Sequence, residues 1–188
     1  MNSNSEGFSH AVKLLLEYKT EVDPVTDDCC WKWTPLHYAS KRGHVDIAKY
    51  LIQHKADINK LDGEKMEIPL HLAAAEGNIG IVELLLENNS PINSQNISKF
   101  TPLHHAASNG HTNVVKFLLQ NKAAINQTTN LKWTPLHFAS HSGHTDIVKI
   151  LLEYKAKIDS KDKDKYTPLH YAASKGILQN ALIAGTGI

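Results

Sequence analysis

The chain has 188 residues and is nearly neutral, with 20 basic and 19 acidic side chains. A protein that binds nucleic acid needs an excess of cations to neutralise phosphates, so this balance argues against that class. No apolar run approaches the roughly 20 residues of a membrane-spanning helix, and the polar start of the chain lacks the pattern of a secretory signal. We therefore expect no nucleic-acid partner and no membrane insertion.

The two cysteines, Cys29 and Cys30, are adjacent in the sequence. They cannot link distant segments of the chain through a disulfide, and such sparse use of cysteine is typical of a reducing compartment. We therefore expect an intracellular protein, located in the cytoplasm.

The first predicted element is a helix within residues 11–23, AVKLLLEYKTEVD, whose pattern recurs at residues 147–159. The residues before it are few and polar, so we expect no helix in front of it. Leu14 and Leu15 then lack part of their apolar cover. Exposed apolar patches of this kind mark an interface.

A repeating unit follows this element. The triplet Pro-Leu-His recurs at intervals of 34, 33, 33 and 33 residues, which is the signature of a repeat protein. It begins at Pro35, Pro69, Pro102, Pro135 and Pro168. A pair of small residues follows each triplet, and then a glycine at positions 43, 77, 110, 143 and 176. Four units continue with an apolar helical pattern that closes on isoleucine followed by asparagine or aspartate.

The chemistry of one unit predicts two helices and a loop. Threonine before the triplet caps the first helix, proline occupies its first turn without loss of a hydrogen bond, and the glycine ends it in a left-handed conformation. The apolar stretch is long enough for about two and a half turns of a second helix. The polar remainder predicts a loop or hairpin, and the charged residues 157–165 predict a solvated one.

Three departures from this unit affect stability and the ends. Ile68 replaces the capping threonine of the second full repeat, at a cost of about 1 kcal/mol. Each lysine that keeps a left-handed conformation after a second helix costs a further ~1 kcal/mol. The residues at that position are Lys19, Lys55, Asn89, Lys122 and Lys155. The last unit continues as GILQNALIAGTGI, an apolar and nearly uncharged segment, so we expect end-to-end self-association through the terminal repeats.

The chain resembles the ankyrin repeat family in its period, its Thr-Pro-Leu-His segments, its glycines and its Ile-Asn or Ile-Asp ends. The resemblance covers nearly the whole chain, from about His10 to Gly176. It implies an all-α fold, an α-solenoid of helix-turn-helix units with β-hairpin or loop fingers. The single solenoid of residues 1–188 divides into a partial repeat at 1–33, full repeats at 34–67, 68–100, 101–133 and 134–166, and a degenerate repeat at 167–188.

In this family, the concave surface of first helices and fingers binds protein partners. The positions that map there are the residue before most of the Thr-Pro-Leu-His segments, one face of the first helix and two residues nearer the fingertips. They are Trp31, Trp33, Tyr38, Lys41, Arg42, Glu76, Phe100, His105, Asn109, Leu131, Trp133, Phe138, His141, Ser142, Tyr166 and Tyr171. Aromatic side chains and arginine on one surface are typical of interface hot spots. The alternative is that the rings pack across neighbouring fingers and stiffen the scaffold.

Histidines are frequent, and the segment HFASHSGH brings together His137, His141 and His144. The first and third recur in other repeats, unlike the ligands of one metal site, and Gly143 separates the third from the other two. A zinc site needs three or four convergent ligands. The family resemblance implies that the triplet histidine is structural and ties its threonine to the neighbouring loop. We therefore expect no metal and no cofactor.

The catalytic motifs that define enzyme classes are missing from the sequence. It has no G-x-S-x-G segment, no phosphate-binding loop and no isolated acid–base group, so we expect no enzymatic activity. The favoured function is a non-catalytic protein-protein interaction module that binds a protein partner through the concave groove. The alternative is a structural spacer or targeting arm of a larger channel, enzyme or secreted effector.

Overall fold

The computed structural model describes residues 3–25 and 32–175, with side chains from residue 8 onward. Its helices follow the repeat period of the sequence. They are α1 (Ser3–Glu17), α2 (Pro35–Arg42), α3 (Val45–Gln53), α4 (Pro69–Glu76), α5 (Ile79–Glu87), α6 (Pro102–Asn109), α7 (Thr112–Gln120), α8 (Pro135–Ser142), α9 (Thr145–Glu153) and α10 (residues 168–175). The even-numbered helices are the first helices of the repeats, and the odd-numbered ones are the second helices.

The helices form two layers. The first helices α2, α4, α6 and α8 pack side by side in one layer, and the second helices from α1 to α9 form the other. Each of these four first helices also packs against the second helix that follows it. The ring of Tyr171 in α10 lies 5.7 Å from that of His141 in α8, which continues the first layer. The predicted solenoid is confirmed, and α1 has the place of a second helix, as its sequence predicts.

The glycines after the first helices satisfy two requirements at once. Gly77, like its three described equivalents, has a positive φ, here 75°, a conformation that strains residues with a side chain. A Cβ atom at this position would also collide with Nδ1 of His111, which belongs to the next repeat. Glycine is therefore required both by the turn itself and by the side chain that covers it.

The apolar core runs between the two layers. The leucines of the Pro-Leu-His triplets that lie inside the array are almost fully buried, with exposed fractions of 0 to 3%. They are Leu36, Leu70, Leu103 and Leu136. Ile68 belongs to the same core and is 2% exposed. The sequence predicts only the loss of a cap at Ile68, but burial of its side chain contributes about 1.5–3 kcal/mol and offsets that loss.

Two sets of residues with side chains adopt left-handed conformations. The predicted set after the second helices is confirmed, with φ values from 58° to 70°. A second set lies at the base of the fingers, one residue before the position that precedes each first-helix cap. It consists of Lys32, Met66, Lys99, Lys132 and Lys165. The sequence gives no glycine or asparagine signal there, so this second set was not predicted.

The fingers between repeats are loops. Among residues 3–25 and 32–175 there is no β-strand, so the loop form of the predicted fingers is the one that occurs. Backbone hydrogen bonds close the fingers within residues 57–166, such as the one from Asn96 N to Phe100 O at 3.0 Å. Single bonds also join neighbouring fingers, such as that from Asn130 N to Ser98 O at 3.0 Å.

The N-terminal end of the array exposes apolar side chains. Phe8, Leu14 and Leu15 of α1 are 65%, 42% and 58% exposed. This agrees with the expectation that α1 lacks part of its cover. The apolar residues predicted to be exposed at the other end, Ile177, Leu178, Leu182 and Ile183, lie outside the described residues. Self-association through these ends stays a prediction.

Candidate functional site

Histidines of the Pro-Leu-His triplets connect the first helices α2, α4, α6 and α8 to the next finger. Nδ1 of His104 accepts a hydrogen bond from the backbone N–H of Thr101 at 3.1 Å. Its Nε2 lies 3.0 Å from the carbonyl oxygen of Gln127 and 3.2 Å from that of Trp133. Because Nδ1 accepts the backbone proton, Nε2 carries the ring proton and donates it to these carbonyls. The structural role implied by the family resemblance is confirmed.

Burial keeps these histidines neutral. Burial lowers the pKa of His71 to about 4, aided by the nearby His105, and lowers the pKa of His104 to about 4, against the opposing effect of its carbonyl hydrogen bonds. The pKa of His37 and that of His137 are lowered in the same direction, also by burial. A neutral imidazole with one donor and one acceptor is the state that these hydrogen bonds from helix to finger require. We call the series of bonds formed by His37, His71, His104 and His137 the hydrogen-bond ladder.

The histidines of the HFASHSGH segment serve separate contacts. His137 belongs to the ladder just described, and Nε2 of His144 lies 3.0 Å from the carbonyl oxygen of Ser108 in the preceding repeat. The ring of His141 packs 5.4 Å from that of Trp133. Within the described ranges, no group of three or more histidine, cysteine, aspartate or glutamate side chains is placed to hold a metal ion. The absence of bound zinc stays a prediction.

Several residues predicted for the groove form a cluster of rings in the C-terminal half. The ring of Trp133 lies 4.4 Å from that of Tyr171 and 4.8 Å from that of Phe138. Phe138 in turn lies 5.0 Å from Phe100. We call Phe100, Trp133, Phe138, His141 and Tyr171 the aromatic cluster; all five side chains are half-buried. The cluster lies where the first helices meet the fingers.

Asp162 fixes the C-terminal part of this cluster. Its Oδ2 accepts hydrogen bonds from the indole of Trp133 at 3.1 Å and from the hydroxyl of Tyr171 at 2.5 Å. Its Oδ1 accepts the backbone N–H groups of Asp164 and Tyr166, at 2.9 and 2.8 Å. The finger at residues 157–165 was predicted to be solvated. That prediction is wrong for Asp162, which is 5% exposed. Its carboxylate accepts hydrogen bonds from four groups of the protein rather than from solvent.

The pKa values of Asp162 and Tyr171 reflect this bonding. Burial alone raises the pKa of Asp162, but hydrogen bonds from Tyr171, from two backbone amides and from Trp133 outweigh it, and the pKa is lowered. Burial together with the hydrogen bond and the charge of Asp162 raises the pKa of Tyr171 to about 12. The carboxylate is therefore charged and the phenol is neutral at physiological pH, which is the pairing that holds the rings in place.

A polar contact occupies the corresponding place in the middle of the array. Glu67 stands where an aromatic residue stands in the other repeats and is 4% exposed. Its Oε1 lies 2.9 Å from Nε2 of His105 and accepts a hydrogen bond from Asn96 at 2.8 Å. Burial raises the pKa of Glu67, but the hydrogen bond and charge of His105 and the bond from Asn96 outweigh it, and the pKa falls to about 2. His105, predicted for partner binding, is thus used within the scaffold.

The N-terminal part of the predicted groove has a different arrangement. Trp33 is buried, with 6% of its surface exposed. The centre of its ring lies 5.1 Å from that of Tyr38 and 5.2 Å from Nζ of Lys41. Tyr38 is 44% exposed, and Arg42 is exposed as well. Tyr38 and Arg42 border an open cleft of about 480 Å³ between α1 and α2. Trp31 lies outside the described residues, as do the two adjacent cysteines.

The remaining predicted residues lie at the surface. Leu131 and Tyr166 stand on neighbouring fingers and are 59% and 50% exposed. Glu76, Asn109 and Ser142 end their first helices and are exposed. Asn109 also donates a hydrogen bond at 2.7 Å to the carbonyl oxygen of Ala75 in the preceding repeat, so part of its side chain serves the scaffold.

Paired helices, short fingers and hydrogen bonds between neighbouring repeats define a helical solenoid of stacked repeats. A family model for ankyrin repeats, in three copies, matches residues 1–62, 61–129 and 121–183. The chain belongs to the ankyrin repeat family. Ankyrin repeats are generally protein-protein interaction modules, and the family is typically non-catalytic.

The comparison with curated proteins gave no match. No helix in the part of the chain that the structure describes has the length and apolar character needed to cross a membrane.

Proposed function

We propose that this chain is a non-catalytic module that binds a protein partner through the C-terminal half of its concave groove. The observation that carries the proposal is the exposure of Leu131 and Tyr166, at 59% and 50%, beside the aromatic cluster. Exposed apolar side chains next to rings held in fixed positions are typical of interface hot spots, because little conformational entropy is lost on binding.

Asp162 supports this proposal by holding the cluster rigid. Its carboxylate is bonded to Trp133 and Tyr171, and the ring of Tyr171 lies 5.8 Å from that of the exposed Tyr166. The two alternatives for the aromatic residues thus apply to different side chains. Trp133 and Tyr171 stiffen the scaffold, and the neighbouring Leu131 and Tyr166 are available to a partner.

Charge beside the cluster favours a particular kind of partner. Lys99, Lys132 and Lys165 occupy the same position on three successive fingers and are exposed. Each immediately precedes an aromatic residue on the groove side. A surface that alternates cations with apolar groups is complementary to a segment with apolar and acidic side chains. We therefore propose a partner of that chemistry, recognised across these three fingers.

The test uses a partner captured by the intact protein from its source cells and then purified. Replacing Leu131 and Tyr166 by alanine should weaken the calorimetric affinity by roughly 30-fold, about 2 kcal/mol, while circular dichroism stays unchanged. The matched control replaces Leu152 and Tyr154, which are 42% and 41% exposed in the layer of second helices. This control should leave the affinity unchanged.

Equal effects of the two pairs would contradict the proposal. If no partner depends on the groove, the alternative of a spacer or targeting arm is favoured. Trp33 and Trp133 are unsuitable for this test, although the sequence alone suggests them. Trp33 is buried and Trp133 is bonded to Asp162, so their replacement also removes packing worth about 3–5 kcal/mol for a buried tryptophan. An intracellular location in the cytoplasm belongs to this proposal.

A further inference from the structure

One side chain at the start of each of the second helices α5, α7 and α9 donates a hydrogen bond to the first helix of the preceding repeat. Asn78 donates to the carbonyl oxygen of Lys41 at 2.9 Å, His111 to that of Ala75 at 2.8 Å, and His144 to that of Ser108 at 3.0 Å. His44 has the equivalent position in the first full repeat. Among the described residues, no group pairs with the side chain of His44, which is exposed.

The cleft beside His44 lies where the first helix of the preceding repeat packs in the inner repeats. It is lined by Val12 of α1, Pro24 and Val25 of the following loop, and Tyr38 and Arg42 of α2. In the inner repeats, the preceding first helix covers this face. Leu72, the equivalent of Tyr38 in α4, is 8% exposed, whereas Tyr38 is 44% exposed. The cleft is therefore the space that a first helix would fill.

The described C-terminal end has the opposite arrangement. α10 is a first helix, and its Leu169 is 75% exposed, although the equivalent leucines of the inner repeats are 0 to 3% exposed. Nδ1 of His170 bonds to Thr167, as in the other repeats. Within the described residues its Nε2, which elsewhere donates to the next finger, has no acceptor. α10 thus presents the apolar and polar groups that an inner first helix uses to bind its successor.

We propose that α10 of one molecule occupies the cleft between α1 and α2 of a second molecule, so that the two half-repeats form one complete repeat at the junction. The occupant is a second copy of this chain, because its exposed end carries the groups that the cleft lacks. Leu169 packs against α1 of the partner subunit, and Ala172 and Ala173 allow the close approach that stacked first helices require.

The repeat period fixes the register of this contact. His111 and His144 bond to the carbonyl six residues after the proline of the preceding triplet, at Ala75 and Ser108. Counting from Pro168, the equivalent carbonyl in α10 is that of Ser174. His44 therefore donates to Ser174 of the partner subunit. The contact joins unlike ends, so it is head-to-tail and can extend beyond a dimer.

The same register brings two like charges together. Arg42 has the same position in its repeat as Glu76 in the neighbouring helix α4 and Lys175 in α10. At the junction, the residue at the equivalent position next to Arg42 is therefore Lys175 of the partner subunit. Like charges in adjacent positions oppose binding. We therefore expect the association to strengthen with salt, and Arg42→Glu to strengthen it further.

Sedimentation velocity on the full chain tests the proposal. The average mass of the native protein should rise above 20.9 kDa with increasing concentration. Tyr38→Lys blocks the cleft and Leu169→Lys blocks the α10 face, so each variant alone should associate roughly tenfold or more weakly. An equimolar mixture of the two should form a species of twice the monomer mass and no larger one, because one intact cleft and one intact α10 face remain.

The controls separate this contact from other kinds of association. Ile97→Lys changes a finger side chain that is 61% exposed and outside the junction, and it should associate like the native protein. Circular dichroism verifies that each variant is folded. A native protein that stays monomeric, a single variant that associates as strongly as the native protein, or a mixture that does not form dimers would overturn the proposal. A weaker or unchanged association of Arg42→Glu would overturn the register. The test variants change neither Leu131 nor Tyr166, so the outcome of this experiment can be distinguished from that of the test of the proposed function.

Discussion

Helices α6 and α10 contain almost the same sequence, TPLHHAASN and TPLHYAASK with their caps, in two different surroundings. The threonine hydroxyl and the histidine Nδ1 are 2.8 Å apart in both. Yet Leu103 and His104 are 1% and 0% exposed, whereas Leu169 is 75% exposed and His170 is exposed too. The cap thus forms from the local sequence alone. The burial of the leucine and of the histidine depends on the repeat that follows.

The largest expected effect is a loss of stability in acid that comes from the inner repeats. His71 and His104 have a pKa of about 4 in the folded protein and 6.5 when unfolded. The unfolded chain therefore binds protons first, so their contribution is complete above pH 6.5 and is lost as the pH falls towards 4. With about 1.4 kcal/mol per pKa unit, lowering the pH from 7.5 to 4.5 should cost on the order of 4 kcal/mol.

Denaturant unfolding across this pH range measures the loss. The double variant His71→Gln with His104→Gln is the control, and its free energy of unfolding should vary less with pH. Glu67, with a folded pKa of about 2 against 4.5, adds a further loss only below pH 4.5. A stability that is constant between pH 7.5 and 4.5 would show that these histidines are not held neutral by burial.

Next in size is the difference between two equivalent leucines. Leu103→Ala leaves a cavity in the core and should cost about 3 kcal/mol of unfolding free energy. Leu169→Ala removes an exposed side chain and should change it by less than about 0.5 kcal/mol. Both values come from denaturant unfolding at a concentration where the protein is monomeric. Similar losses would mean that α10 is covered in solution by its own chain.

A smaller effect tests whether backbone strain is independent of position along the array. Lys122 and Lys155 have φ values of 66° and 65°. Replacing either by glycine relieves the left-handed conformation and should raise the unfolding free energy by about 0.5–1 kcal/mol. Lys116→Gly is the matched control, because the same exchange inside α7 should cost ~1 kcal/mol. Thermal unfolding shows whether each of the three variants is more or less stable than the native protein. A loss of stability in Lys122→Gly would contradict the prediction that the left-handed conformation is strained there.

The smallest expected effect sets local capping against burial at one residue. Ile68→Thr restores a cap worth about 1 kcal/mol. It also removes apolar atoms from a side chain that is 2% exposed, at a cost of about 1–1.5 kcal/mol. The two terms nearly cancel, so the melting temperature should change little, where the sequence alone predicts a rise. A clear rise would show that the cap outweighs the burial.

The sequence predicts features that arise within one unit. The helix pairs, the left-handed glycines and the left-handed lysines after the second helices follow from local patterns, and all are confirmed for the described residues. The role of the triplet histidine came from the family resemblance, since its carbonyl partners lie 23 to 30 residues away.

Features that depend on two units were missed. Asp162 is buried because Trp133 and Tyr171, from two other elements, point at it. Glu67 and His105 pair across repeats although neither has a partner nearby in the sequence. The second set of left-handed residues, which includes Met66 at the base of a finger, has no glycine or asparagine that would predict this conformation. Side chains that are predicted to be exposed from one repeat can be buried by the next.

The short reach of the hydrogen-bond ladder has a consequence for motion. Among the described residues, the side-chain bonds between repeats span at most 38 positions, and each joins immediate neighbours. The array can therefore open one repeat at a time from either end while its centre stays folded. Amide protons in α5, α6 and α7 should exchange with deuterated solvent most slowly, and protection should fall off stepwise towards both ends. Unfolding is therefore expected to proceed stepwise from the ends rather than in one step for the whole array.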